Sequence, residues 1–354
     1  MRIWLDMANS PHPVLLGPVA RELEARGHEV FVTTRDHAQT RELTQSKWPG
    51  AATVGGESPP SRRAKAREIA GRVIGLRRTL TGVKADAAVS LGSYAQIVAA
   101  RSLGMQALTL MDYEYQPANH LSFRLAQRVV VPVAFPDQRL RRYGASVKRV
   151  AKFDGFKEEL YLDEIDAVRN AIELETGGSD RVAERRVRSR MRETLAVFRP
   201  PPEGALYHRQ GNSLFDLVLR RAIDRDDVKV VVLPRMAHQR TRYSELSGVQ
   251  SPENAADGLA LLRSADVFVG AGGTMSREAA LLGVRAYTIF GGELASVDAE
   301  LIQRGLLQDL RGQDPAGVDW SPRERRETPQ ASHRRHHRAR QLRSWLIARI
   351  EELA

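Results

Sequence analysis

The sequence predicts an α/β protein built as two successive domains, each a parallel sheet covered by helices. Short apolar runs alternate with helical stretches along both halves of the chain. With 354 residues and 42% hydrophobic content, it can fill two cores more readily than one. Charged residues make up 27%, the level of an ordinary folded chain and not of a disordered one.

Composition narrows the chemistry. Cysteine is absent, which removes disulfides, thiolate metal sites and cysteine nucleophiles. The opening Met1-Arg2-Ile3-Trp4-Leu5-Asp6 reads as a strand and not as a secretory signal. No apolar run is long enough to span a bilayer, so a cytoplasmic location is expected. The net charge of +11 favours anionic partners: nucleic acid, acidic lipid or phosphorylated small molecules. Arginine dominates that charge, and Arg/Ala-rich sequences often reflect genome composition. Aromatic residues are 6% and do not interleave with basic ones, which argues against a nucleic-acid groove.

In the first half, strands are expected at Arg2–Met7, Glu29–Thr33, Asp86–Ser90, Ala107–Leu110, Arg128–Pro132 and Val147–Ala151. The first strand leads into a loop, Ala8-Asn9-Ser10-Pro11-His12-Pro13, and then a helix ended by Gly27. Pro18 predicts a late start or a kink in that helix. The stretch 61–81 reads as a basic helix. Ile69, Val73, Leu76 and Leu80 make its apolar stripe, and Arg63, Arg67, Arg72 and Arg78 its solvent face. Such a face is a solvated surface or a contact to the inner face of a membrane.

Lys152–Asp163 reads as the crossover, giving domains at 1–155 and 156–322. Strands then recur at Thr194–Phe198, Lys229–Leu233, Asp266–Val269 and Ala286–Phe290. Residues 323–354 are expected as a basic linker, with His333, His336 and His337, before a C-terminal helix. Arginines around those histidines would repel a metal ion, and no metal site is expected.

The most informative stretch is Gly270-Ala271-Gly272-Gly273-Thr274-Met275-Ser276-Arg277-Glu278-Ala279-Ala280-Leu281-Leu282-Gly283. It follows an apolar strand and opens a helix. Glycines let the backbone approach a ligand, and the helix start offers unpaired N–H groups and a positive dipole end, which suits a diphosphate. Glu278, one turn in, is placed to accept hydrogen bonds from two ribose hydroxyls. The plainer alternative is a tight strand–helix turn in which Glu278 complements the dipole. The run matches neither a dinucleotide fingerprint nor a Walker sequence.

That run resembles the nucleotide-sugar site of the GT-B superfamily, close to the lipid-linked N-acetylglucosaminyl transferase of peptidoglycan synthesis. Leu91-Gly92-Ser93-Tyr94 and the helix to Leu103-Gly104 are similar to the same family's N-terminal half. The whole chain resembles more closely a prokaryotic family of unknown function in that superfamily. The shared features are the D-x-x-N-x-P-H opening, Arg199-Pro200-Pro201, Leu233-Pro234-Arg235 and the glycine-rich run. The resemblance implies a GT-B fold: two Rossmann-like α/β domains facing across a cleft.

It also implies sites. Gly272, Gly273 and Thr274 would hold the donor diphosphate and Glu278 its ribose. Arg199 and Arg235, each after a strand, would contact phosphate or base, Asn212 and Ser213 would supply donors at another helix start, and Asp298 would meet the donor sugar. His12 matches the inter-domain histidine of the transferases, as a base or a phosphate ligand. Asp112 and Glu114 are rival bases. Gly270 stands where many retaining enzymes of this fold carry a second glutamate, which points to inversion.

The expected function is therefore metal-independent transfer from a nucleotide-diphosphate sugar, UDP-linked by resemblance, to an unknown acceptor, lipid-linked or polysaccharide. No cofactor beyond this donor is expected. Two alternatives stand beside it. One is a nucleotide-sugar 2-epimerase, whose G-T-R-P-E opening is replaced here by Asp6-Met7-Ala8-Asn9-Ser10. The other is a non-catalytic anion- or membrane-binding protein.

Overall fold

The computed structural model describes residues 1–37, 39–57, 61–164, 193–201, 213–252, 258–323 and 329–354. It divides into two compact units. Unit 1 is Met1–Tyr161 with Ala295–Val297 and Arg334–Ala354; unit 2 is Leu162–Leu294 with Asp298–His333.

Unit 1 holds β1 (Arg2–Met7), β2 (Glu29–Thr34), β3 (Ala52–Thr53), β4 (Ala87–Leu91), β5 (Gln106–Leu110), β6 (Arg128–Pro132) and β7 (Val150–Phe153). These pair in parallel in the order β3-β2-β1-β4-β5-β6-β7. Its helices include α1 (Pro11–Ala25), α2 (Thr40–Lys47), α3 (Arg62–Thr81), α4 (Tyr94–Ser102), α5 (Asn119–Leu125) and α6 (Asp137–Arg142). The strands are apolar along their length because helices cover both faces of such a sheet. Ile3, Trp4, Leu5 and Met7 of β1 are all fully buried. Strand order reverses between β1 and β4, which makes the ends of those strands the switch point of the unit.

That switch point is closed by a buried ion pair. Arg72 reaches in from α3 and meets both oxygens of Asp6 at 2.8 Å. Asp6 also accepts the hydroxyls of Ser93 (2.5 Å) and Thr33 (2.6 Å), and Thr33 in turn accepts Trp4 Nε1–H at 2.9 Å. Gly55 lies where the guanidinium stem passes. A Cβ there would come within 2.8 Å of Arg72 Cδ, and the residue's φ of +85° favours glycine as well. Arg72 is thus an internal residue, and not part of the solvent face expected of this helix. Ile69, expected in the apolar stripe, is 39% exposed, while Leu76 and Leu80 pack beneath Trp4 as expected.

Other elements also depart from expectation. Helix α1 begins at Pro11, so His12 sits in its first turn and not in a loop. Proline is tolerated there because the first-turn N–H groups have no partner within the helix. Pro18 lies inside α1, and the burial of Leu15, Leu16 and Val19 around it offsets the lost hydrogen bond. Val147 is 80% exposed in a 3-10 turn, so β7 starts three residues later than expected, at Val150.

Unit 2 repeats the plan with β8 (Thr194–Arg199), β9 (Val228–Val232), β10 (Val249–Gln250), β11 (Val267–Gly270), β12 (Arg285–Thr288) and β13 (Leu307–Asp309). They pair in parallel in the order β10-β9-β8-β11-β12-β13. Its helices include α7 (Ser213–Ile223), α8 (Ala237–Ser244), α9 (Gly258–Ser264), α10 (Gly273–Leu281) and, from Asp298 onward, α11 (Ser296–Gln303). Phe198 anchors the core, edge-on to Phe215 and stacked with Trp320.

The tail forms α12 (Pro329–Glu351), which runs straight through His333–Arg338. The run expected as a linker is therefore helical. Ala339, Leu342, Leu346, Ile347 and Ile350 of α12 are buried, and in unit 1 Glu351 meets His28 at 3.0 Å. Among the described residues, no helix is long and apolar enough to cross a membrane.

Removing one partner of a buried ion pair strands the other charge. Asp6→Ala is expected to cost about 3–5 kcal/mol, whereas the paired change Asp6→Leu with Arg72→Met recovers most of that loss. Urea unfolding midpoints of the three proteins measure the difference.

Candidate functional site

The switch point of unit 2 lies between β8 and β11, where Arg199 is in register with Gly270. Beyond Gly270 the chain extends through Gly272, which begins α10 without any side-chain cap. The first N–H groups of α10 therefore have no partner from their cap residue. A Cβ at position 272 would lie 2.5 Å from an Arg235 guanidinium nitrogen, so a side chain there would have to displace the tip of that arginine. At Gly273 a Cβ would lie 2.8 Å from Arg277 Nη2.

Two short motifs hold the arginines. Arg199 Nη1 donates to the carbonyls of Leu233 (2.9 Å) and Pro234 (3.1 Å), and Arg235 Nε donates back to the carbonyl of Pro200 at 3.3 Å. Buried Gln239 completes the clasp. It accepts Arg235 N–H at 2.9 Å and donates to the Pro201 carbonyl at 2.9 Å. The Arg-Pro-Pro and Leu-Pro-Arg segments are thus one interlocked unit at the ends of β8 and β9.

The clasp brings two like charges together with one opposing carboxylate. Burial, and then the like charge of Arg235, push the Arg199 guanidinium well below its ordinary value, while Glu278 acts in the opposite direction. Arginine does not give up its proton in proteins, so an anion at this point relieves the cost. Glu278 is buried in α10. Arg277 and Asp298, both 4% exposed, form a two-point ion pair at 2.5 and 3.2 Å. Asp298, expected to meet a donor sugar, is engaged with Arg277. Thr274 is half-buried in the first turn of α10, Ser213 is exposed at the start of α7, and Asn212 lies outside the described residues.

Unit 1 gathers the other candidates. His12 is 4% exposed; its Nδ1 accepts Ala8 N–H at 3.2 Å and lies 3.4 Å from the Asp6 carbonyl. Burial lowers its pKa to about 4, opposed by Asp6 and aided by Arg72 and Lys157. Asp112 follows β5 and forms a short ion pair with buried Lys157, whose ammonium also meets Glu158 at 3.1 Å. Glu114 is 1% exposed, and its Oε1 accepts the Ser296 N–H at 2.8 Å and the Ser296 hydroxyl.

Sequence reasoning missed Lys157, Gln239 and the placement of Arg277. Gln239 and Lys157 carried no motif signal. Arg277 stood within the glycine-rich run, where only the glycines and Glu278 were weighted. Among the described residues, no three His, Asp or Glu side chains gather as a metal cage.

Two doubly wound parallel-sheet units, with a glycine-rich turn and arginines at the second switch point, define a GT-B-type protein. The chain belongs to the family described as protein of unknown function DUF354, matched over residues 1–314. It is 27% identical over 307 residues to the uncharacterised protein MJ0665 of Methanocaldococcus jannaschii, covering 85% of each chain. Its fold is similar to a UDP-GlcNAc 2-epimerase of the same organism, solved with UDP-GlcNAc and UDP (TM-score 0.64, 11% identity, 95% of this chain and 99% of that one). It is also similar to the Neisseria meningitidis UDP-GlcNAc 2-epimerase bound to UDP-GlcNAc (0.62, 14%, 87% of each). A third likeness is to the spinosyn forosaminyltransferase SpnP (0.56, 16%, 100% and 99%).

His12 makes the stability of the chain depend on pH. Between its ordinary value of 6.5 and its folded value of about 4, the unfolded chain binds a proton that the folded chain refuses. The contribution is complete above pH 6.5 and is lost as pH falls toward 4, amounting to about 3 kcal/mol in all. Urea midpoints between pH 7 and 4.5 should show this slope, and His12→Gln should flatten it.

Proposed function

We propose that this protein transfers a sugar from a nucleoside-diphosphate donor to an acceptor hydroxyl, by direct displacement with inversion. The observation that carries this reading is the approach of Arg235 to Gly272 at the uncapped start of α10, with Arg199 close enough to Arg235 to feel its charge. An arginine at an uncapped helix start, with a second guanidinium acting on it, favours a phosphate ligand.

In this reading the diphosphate lies on the N–H groups of Gly273 and Thr274, beside the two arginines. Glu278 accepts the ribose hydroxyls. Arg277, fixed by Asp298, lies close against Gly273. As the sugar leaves, charge grows on the diphosphate, where these fixed donors stabilise it without reorganising. The acceptor substrate is a lipid-linked or polysaccharide hydroxyl, and the donor base is uracil by analogy with the neighbours of similar fold. Epimerisation of a nucleotide sugar is the second reading, favoured by the likeness of fold to two UDP-GlcNAc 2-epimerases.

A panel of nucleotides and nucleotide sugars tests the donor site by thermal stabilisation. A ligand at about 100 times its Kd should add roughly 2.7 kcal/mol. One diphosphate family should stabilise the wild type and not Glu278→Ala. Gly272→Ala, which displaces Arg235, should weaken binding by about tenfold or more. Equal stabilisation of wild type and Glu278→Ala by any polyanion would contradict the reading. Conversion of the ligand into its 2-epimer, with no transfer, would select the second one.

A further inference from the structure

We propose that the exposed face of α3 is a docking surface for an anionic lipid bilayer, with its arginines on the headgroups and Ile74 entering the interface between them. The contact belongs to unit 1 alone and does not depend on the transfer reading above.

Helix α3 is twenty residues long and carries seven basic residues against a single acidic one, Glu68. Its two sides treat charge differently. On the inner side Arg72 is matched by Asp6, and the half-buried Glu68 is matched by Arg35 at 2.9 Å. Leu76 and Leu80 fill the rest of that side against Trp4. The charges that enter the fold are thus neutralised in pairs.

The outer side is not. Arg63, Arg67, Ala70, Ile74, Arg77 and Thr81 follow one another at spacings of four and three, which places them in one row along the helix. All six are exposed, and Arg78 is exposed beside them. Ile74, in the middle of the row, is 51% exposed. Among the described residues, Arg63, Arg67, Arg77 and Arg78 make no side-chain hydrogen bond or ion pair. Elsewhere on the chain arginines commonly sit beside carboxylates, as Arg26 does with Glu22, Arg242 with Asp216 and Arg349 with Glu352. An arginine-rich composition therefore does not by itself account for a face without a matching acid.

The row selects its partner by shape as well as by charge. From Arg63 to Arg78 it extends roughly 22 Å. A small anion would engage one or two of these arginines, whereas an extended anionic sheet meets all four at once. Each guanidinium then lies within a Debye length of the headgroups, about 8 Å at physiological salt. Ala66, Ala70 and Gly71 are also exposed, and their small size lets the helix lie close against a flat surface. Ile74 separates a bilayer from a nucleic acid. An aliphatic side chain at the centre of the contact gains by entering the boundary between headgroups and acyl chains. A nucleic-acid strand offers it nothing comparable, and α3 has no aromatic residue on which a base could stack.

Co-sedimentation of the full chain with lipid vesicles tests the surface. Vesicles of phosphatidylcholine with about one-third phosphatidylglycerol should retain the protein at low salt and release it as salt is raised, and phosphatidylcholine alone should not retain it. Arg67→Gln/Arg78→Gln should weaken the anionic binding by about 25-fold, near fivefold for each charge. Ile74→Ser should weaken it several-fold at unchanged charge. Arg141→Gln/Arg142→Gln removes the same charge from exposed positions on α6 and should leave binding within about twofold. All of these side chains are exposed, so the urea midpoints of the variants should match the wild type. Equal losses in the two double variants would show attraction by net charge alone and overturn the proposal. Undiminished binding of Ile74→Ser would remove the apolar contact, and with it the choice of a bilayer over other polyanions. Retention on neutral vesicles would overturn it too, as would binding to duplex DNA through the same arginines while anionic vesicles are ignored.

Discussion

Two guanidinium groups brought within reach of each other's charge, one of them against the start of a helix, set the character of unit 2. Like charges at close range in partly dry surroundings repel by several kcal/mol unless an anion or solvent intervenes. The chain assembles them deliberately. The Arg-Pro-Pro and Leu-Pro-Arg segments fasten each other through carbonyls, Gln239 locks the pair, and residue 272 is glycine so that Arg235 can lie on the turn.

Unit 1 shows what the same topology does without that demand. Its strands reverse order at the equivalent point, yet the gap is filled from within by Arg72, whose charge is matched by Asp6 and whose hydrogen bonds end on Ser93 and the Val54 carbonyl. A guanidinium neutralised in this way fixes α3 against the sheet and leaves no charge for a ligand. The polar groups that remain to unit 1, His12, Asp112 and Lys157, lie beyond the ion pair.

Much of the fold was legible in the sequence because buried parallel strands are apolar throughout. Arg2–Met7 and Arg128–Pro132 match their expected limits, and the glycine-rich run opens a helix where the pattern places one. What was not legible depended on charge pointing inward. Arg72 has the same local pattern as its exposed neighbours on α3, and only the tertiary position of Asp6 draws it inside. Lys157 and Gln239 stand in segments without a motif. The early start of α1 was obscured by Pro11 and Pro13, which read as loop but are compatible with a first turn. Val147 is apolar and β-branched, which predicts a strand, but nothing covers it among the described residues. The candidate site was half-visible: its glycines and arginines are sequence features, whereas their contact is a product of the sheet order.

The most direct measurement is a crystal structure of the full chain grown with a nucleoside diphosphate. The account predicts phosphate oxygens on the Gly273 and Thr274 N–H groups, within hydrogen-bond distance of Arg199 and Arg235, and ribose hydroxyls on Glu278. A diphosphate bound elsewhere, with the two arginines instead turned onto protein carboxylates, would contradict the central claim.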